Sequence, residues 1–130
     1  MPKNIVIAIV DDDKSVREAL TGLVKSLGYG AVAFQSAEDF LNSKRRHGAA
    51  FLIADVQMPG MTGPQLYDRL VASGAPIPTI LITAYPEETM RARALQSGVT
   101  GYLAKPFNEA DLLACLRSAL DCHAAGKRET

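Results

Sequence analysis

The sequence has no tryptophan, only two cysteines and two histidines, no excess of either charge, and no long apolar run. Each shortage removes a class of function. Lys+Arg and Asp+Glu both number 14 and no basic run breaks that balance, so nothing electrostatic draws the chain to nucleic acid. Cys115 and Cys122 lie seven positions apart in a stretch with helical patterning. At ~1.5 Å rise per residue that is about 10 Å, too far for a disulfide, so they read as reduced thiols of a cytosolic protein. His47 and His123 have no ligand-spaced cysteines or acids, which argues against zinc. The N-terminal apolar run, Ile5–Val10, stops at Asp11-Asp12-Asp13, too soon for a signal-peptide core or a membrane span. There is no internal repeat, linker or low-complexity stretch. At 130 residues, 48% hydrophobic and 22% charged, the chain reads as one globular, cytoplasmic domain over 1–122 with a polar tail at 123–130.

What is present is an alternation. Apolar runs at Ile5–Val10, Ala31–Phe34, Phe51–Ala54, Thr79–Ile82 and Tyr102–Ala104 are separated by amphipathic segments. The runs are continuous, as expected for parallel strands covered on both faces. Val16, Ala19, Leu20, Leu23, Val24 and Leu27 share one helical face, and Gly28 ends that helix. A second helix starts at Ser36, with Asp39 three positions on, and buries Phe40 and Leu41. A third starts around Pro64, carries Leu66, Leu70 and Val71, and ends at Gly74. A fourth runs from about Glu87 to Ser97 and stops at Gly98. A fifth starts at Asn108 and aligns Leu112, Cys115, Leu116, Ala119 and Leu120. Five βα units with right-handed crossovers predict an α/β fold, an open five-stranded parallel sheet, doubly wound. In such sheets ligands bind beyond the carboxyl ends of the strands.

Those ends carry complementary chemistry. The first run ends in Asp11-Asp12-Asp13, the third in Asp55, the fourth in Thr83 and the fifth in Lys105-Pro106. A single aspartate before a helix is favoured as an N-cap, but three adjacent acids exceed what a cap requires, because repulsion and desolvation oppose them. A hard divalent cation, Mg2+ (or Mn2+), would relieve that cost once the sheet places Asp55 beside the triplet. Pro106 restricts the turn after Lys105, and a cis Lys105–Pro106 bond would hold the ammonium toward the site. The set suits phosphoryl transfer to a carboxylate. Asp55 would be the nucleophile. Asp12 would hold the metal directly and Asp11 through water, with the Gln57 carbonyl as a backbone ligand. Thr83 and Lys105 would bind phosphoryl oxygens.

The stretches IVDDD at Asp11–Asp12, ADVQMPGMTG around Asp55, LITA at Thr83 and GYLAKPF at Lys105–Pro106 stand in order along the chain. With them the chain resembles, over essentially its whole length, the receiver domain of two-component response regulators. The resemblance implies a flavodoxin-like (βα)5 fold with strand order 2-1-3-4-5. It implies phosphorylation of Asp55 by a histidine kinase or histidine phosphotransfer protein, with Mg2+, and a signalling domain that promotes its own phosphorylation and dephosphorylation rather than a conventional enzyme. It further implies a switch in which Thr83 moves toward the phosphoryl group and Tyr102 turns inward. That switch would remodel the face formed by the fourth helix, fifth strand and fifth helix, where a homodimer or a downstream protein would bind and where Met90, Leu95 and Leu103 stand. Gln57 and Tyr85, each two residues beyond Asp55 and Thr83, are placed to tune dephosphorylation, Tyr85 by shielding the acyl phosphate.

Other readings explain less. A haloacid dehalogenase-like phosphatase would use Asp11 as nucleophile and Asp13 as acid/base. It needs a later acidic pair that the chain lacks and leaves ADVQMPGMTG without a role. A flavodoxin-like cofactor module needs a Ser/Thr/Gly-rich phosphate loop where three aspartates stand. A receiver serving only as an interaction module would not need the complete site. The expectation is a stand-alone single-domain regulator, with the N-terminal fragment of a DNA-binding regulator as the alternative, and no nucleic-acid or membrane partner for this chain itself.

Overall fold

The computed structural model describes residues 5–43, 48–74, 77–105 and 108–117. The elements alternate as β1 (Val6–Val10), α1 (Lys14–Ser26), β2 (Gly30–Phe34), α2 (Ala37–Asn42), β3 (Ala49–Asp55), α3 (Gly63–Ala72), β4 (Thr79–Thr83), α4 (Glu88–Ser97) and β5 (Gly101–Ala104). Residues 109–117 are helical and are called α5 here. The five strands form one parallel sheet in the order β2-β1-β3-β4-β5. The expected fold class and strand order are both found. The order reverses between β1 and β3, so the switch point lies where the ends of those two strands meet.

Continuous apolar strands arise because the sheet is covered on both sides. Ile7, Ile9, Phe51, Ile53, Ile80 and Ile82 point to one face and pack with Leu20 and Val24 of α1 and Leu112 and Leu116 of α5. Ala8, Val10, Leu52, Ala54 and Leu81 point to the other and pack with Phe40 of α2, Leu66, Tyr67 and Leu70 of α3, and Ala94 of α4. Fully burying each of these larger side chains stabilises by roughly 1.5–3 kcal/mol. Among the described residues, no helix is long and apolar enough to cross a membrane.

Helix ends follow the sequence closely. Asp13 caps α1, its carboxylate accepting from the Ser15 and Val16 N–H groups. Ser36 caps α2 through the Asp39 N–H, and Asn108 caps α5 through the Asp111 N–H. The third helix differs in detail. Its cap is Thr62, in a reciprocal box with Gln65, a T-x-x-Q signal that the emphasis on Pro64 passes over.

Two residues expected on buried faces are not there. Ala19 is exposed, and Val71 is 45% exposed because α3 turns Leu66, Tyr67 and Leu70 inward instead. Pro106, Ala119, Leu120, Cys122, His47, His123 and the 123–130 tail lie outside the described residues. The cis-peptide expectation and the domain boundary at 122 therefore fall outside them too.

Candidate functional site

Parallel register carries the chemistry to one edge. Val10 pairs with Ala54, so Asp11 and Asp55 follow side by side at the ends of β1 and β3. Asp55 pairs with Ile82, and Thr83 pairs with Ala104, which places Thr83 and Lys105 next along the same edge. The Lys105 N–H donates to the Thr83 carbonyl at 2.7 Å and ties the last two strand ends together. Asp11 and Thr83 are fully buried and Asp55 is 6% exposed.

Lys105 joins the two buried acids. Its Nζ lies 3.2 Å from Asp11 Oδ2 and 3.5 Å from Asp55 Oδ2. Asp12 is exposed, yet one carboxylate oxygen from each of Asp11, Asp12 and Asp55 falls within 4.8 Å of the others. Three carboxylates against one ammonium leave a formal excess of two negative charges in the cluster. That excess and the all-oxygen donor set fit a hard divalent cation such as Mg2+. Asp13 is not part of the cluster, since its carboxylate is occupied by the first-turn amides of α1. The acid/base that a phosphatase of the dehalogenase type would require is therefore engaged elsewhere.

The remaining expected residues surround this centre unequally. The Gln57 N–H donates to Asp55 Oδ1 at 3.3 Å, while its side chain is exposed. Thr83 Oγ1 accepts from the Tyr85 N–H at 3.0 Å, so the hydroxyl is held toward the β4–α4 turn. Tyr85 itself is 70% exposed. Tyr102 is partly buried against the core on the α2–α3–α4 side of the sheet, and its hydroxyl is buried with no hydrogen-bond partner. One contributor is not legible in the sequence. Arg17 donates from Nη1 to the Asp11 carbonyl at 2.8 Å and fixes the β1–α1 corner from α1. A basic residue on a helix ordinarily reads as a solvated one.

Burial pushes the Asp55 carboxyl up, with the Asp11 charge adding to the effect against the lowering influence of Lys105 and the Gln57 N–H. Burial pulls the Lys105 ammonium down, but Asp11 and Asp55 outweigh it and hold it above its ordinary value. The folded state thus binds the Asp55 proton more tightly than the unfolded chain does. Between the unfolded pKa near 3.8 and the raised folded one, stability falls as pH rises, and the deficit is complete once pH has passed the folded value. Asp55→Asn is accordingly expected to raise the urea midpoint of the metal-free protein at pH 7 and to leave it unchanged at about pH 3, where both states are protonated. An equal gain at both pH values would show that the carboxylate charge is not the cause.

Comparison with known proteins agrees with this fold. Residues 7–117 match the response regulator receiver domain family. The chain is 41% identical over 115 residues to the response regulator protein TodT of Pseudomonas putida, covering 88% of this chain and 51% of TodT. The chain thus spans about half the length of the curated relatives it matches. Among solved structures, the response regulator StyR superposes with a TM-score of 0.86 at 36% identity, over 97% of this chain and 64% of that one. FixJ-N superposes with a TM-score of 0.79 at 29% identity, over 89% and 93%.

Proposed function

The chain belongs to the response regulator receiver domain family of two-component systems, and from that premise we propose that Asp55 accepts a phosphoryl group from a phosphohistidine of a histidine kinase or phosphotransfer protein. The observation that carries the proposal is Lys105, whose ammonium lies 3.2 Å from Asp11 and 3.5 Å from Asp55 at the edge where the strands end. An Asp55 carboxylate oxygen attacks phosphorus as the nitrogen–phosphorus bond of the donor breaks, and the imidazole leaves carrying its electron pair. Asp11, Asp12, Asp55 and the Gln57 carbonyl are the groups that would hold Mg2+ or Mn2+, which when bound neutralises charge on the transferring phosphoryl oxygens. Lys105 is placed to pair with one such oxygen. The Thr83 hydroxyl, now accepting from the Tyr85 N–H, is free to donate to another.

Transfer replaces a carboxylate by a dianionic group and so biases a two-state element. In this proposal Thr83 moves toward the phosphoryl group and Tyr102, whose buried hydroxyl has no partner in the present arrangement, turns with it. The α4–β5–α5 face then presents a changed surface to a second copy or a downstream protein. Gln57 and Tyr85 set the lifetime of the acyl phosphate, and the domain works in the cytoplasm.

The test is intact mass after incubation with a small-molecule phosphodonor and Mg2+. Wild type is expected to gain one phosphoryl, only with metal, and Asp55→Asn to gain none. A gain that survives Asp55→Asn and disappears in Asp11→Asn would assign the nucleophile to Asp11 and overturn the proposal. No gain in wild type with donor and metal both saturating would also overturn it.

A further inference from the structure

Beyond Asp55 the chain crosses to α3 through a loop whose fixed points are few. Met58 is buried and Met61 partly buried in the core beneath it. Between Gln57 and Thr62 the hydrogen bonds stay local: the Gln57 N–H goes back to Asp55, and the Thr62 N–H goes forward to Gln65. Among the described residues the exception is Met61, whose N–H donates to Glu38 Oε2 at 3.2 Å, across 23 residues of sequence. Glu38 sits in the first turn of α2, which the Ser36 cap holds in place. Gly60 turns the loop against the same carboxylate. Its φ is +77°, and a Cβ there would stand 3.0 Å from Glu38 Oε2. A charged acceptor and a backbone donor aimed at it meet at the surface, where Glu38 and Gly60 are exposed, and the positive φ of Gly60 is what lets the loop turn toward the carboxylate.

We propose that Glu38 is a positioning residue for the acidic cluster. Its carboxylate ties α2 to the loop after Asp55, sets where the Gln57 carbonyl stands relative to Asp55, and thereby sets the affinity of the cluster for a divalent cation. The proposal rests on the reading of that cluster as a cation site. Its consequence is separable from phosphorylation, because cation affinity and loop protection are read without a phosphodonor.

Mg2+ is titrated into metal-free wild type, Glu38→Gln, Glu38→Ala and Gly60→Ala and followed by backbone amide shifts, with exchange of the Met61 amide and a thermal melt recorded for each. Glu38→Ala is expected to weaken Mg2+ binding by about three- to tenfold, the range set by one hydrogen bond, and to speed Met61 exchange without lowering the melt appreciably. Glu38→Gln keeps a side-chain acceptor and is expected to stay within about twofold of wild type. Gly60→Ala, which strains φ and crowds the carboxylate, is expected to weaken binding in the same direction as Glu38→Ala. Wild-type Mg2+ affinity in Glu38→Ala overturns the proposal. So does a Glu38→Gln variant as weak as Glu38→Ala, because the charge and not the tether would then be responsible. A wild type that binds Mg2+ yet accepts no phosphoryl would sink the proposed function while leaving this comparison standing.

Discussion

Lys105→Met is expected to lower the stability of the metal-free protein by roughly 3 kcal/mol at pH 7 and to slow phosphoryl acceptance on the order of a hundredfold. The ammonium stands between Asp11, which is fully buried, and Asp55, which is nearly so. Taking it away does not return these carboxylates to water. It leaves two like charges at neighbouring strand ends, and removing one partner of a buried ion pair typically costs about 3–5 kcal/mol. The Lys105 side chain is 21% exposed, so the lower end of that range applies. Methionine keeps the length of the stem, so lost packing contributes little.

Two further measurements separate the charge from other causes. Saturating Mg2+ should narrow the stability gap between Lys105→Met and wild type, because a divalent cation supplies the missing positive charge at the same carboxylates. Adding Asp11→Asn to Lys105→Met should recover most of the loss in urea denaturation, since the acid 3.2 Å from Nζ is then neutral. The rate of phosphoryl acceptance should stay low in both cases, because neither change restores a donor to the transferring oxygens. A Lys105→Met protein as stable as wild type in EDTA would show that water already screens the pair.

How much of this site could be read in the sequence depends on what kind of fact each residue represents. Asp55, Thr83 and Lys105 were legible because strands buried on both faces are apolar throughout, so a polar residue at the end of each run stands out against it. The acidic triplet was legible only as a group. Its division into two cluster members and one cap follows from where α1 begins: Asp13 directly precedes the helix, with an extended backbone (φ −91°, ψ 115°) from which its carboxylate meets the first-turn amides. Helical periodicity placed Ala19 and Val71 inside, yet each lies at the rim of its buried stripe, and Tyr67 takes the position beside Leu66 and Leu70. Arg17 and Glu38 were not legible at all. Each is a charged residue on a helix, which reads as solvated, and each is made specific by a partner that only the tertiary arrangement supplies.

Gly63→Ala is expected to be the most damaging single-methyl addition in the domain, costing about 3 kcal/mol and displacing Asp55 in whatever fraction folds. Gly63 does not have a positive φ, so the argument is not one of backbone conformation. It is one of space. A Cβ at Gly63 would fall inside hard contact with the Asp55 carbonyl oxygen, and it would also crowd the Asp55 carbonyl carbon and Leu81 Cδ2, both at 3.1 Å. Trimming Leu81 cannot relieve the first of these, because the obstacle is backbone. Nor can the strand end withdraw easily. The Gly63 N–H donates to the Val56 carbonyl at 3.2 Å and the Val56 N–H to the Ile82 carbonyl at 2.8 Å, so a shift at Gly63 is passed to the β3–β4 pairing beneath the site. Gly22 provides the control. It lies within α1, is exposed, and has nothing within 4 Å of an added Cβ, so Gly22→Ala should stabilise by about 0.5–1 kcal/mol through helix propensity and the unfolded chain. Opposite shifts of the urea midpoint for the same chemical change would locate the constraint in the close approach of α3 to Asp55. If Gly63→Ala kept both the wild-type midpoint and the wild-type rate of phosphoryl acceptance, the strand end would have to be soft, and a fixed separation of Asp55 and Lys105 could not be what sets the rate.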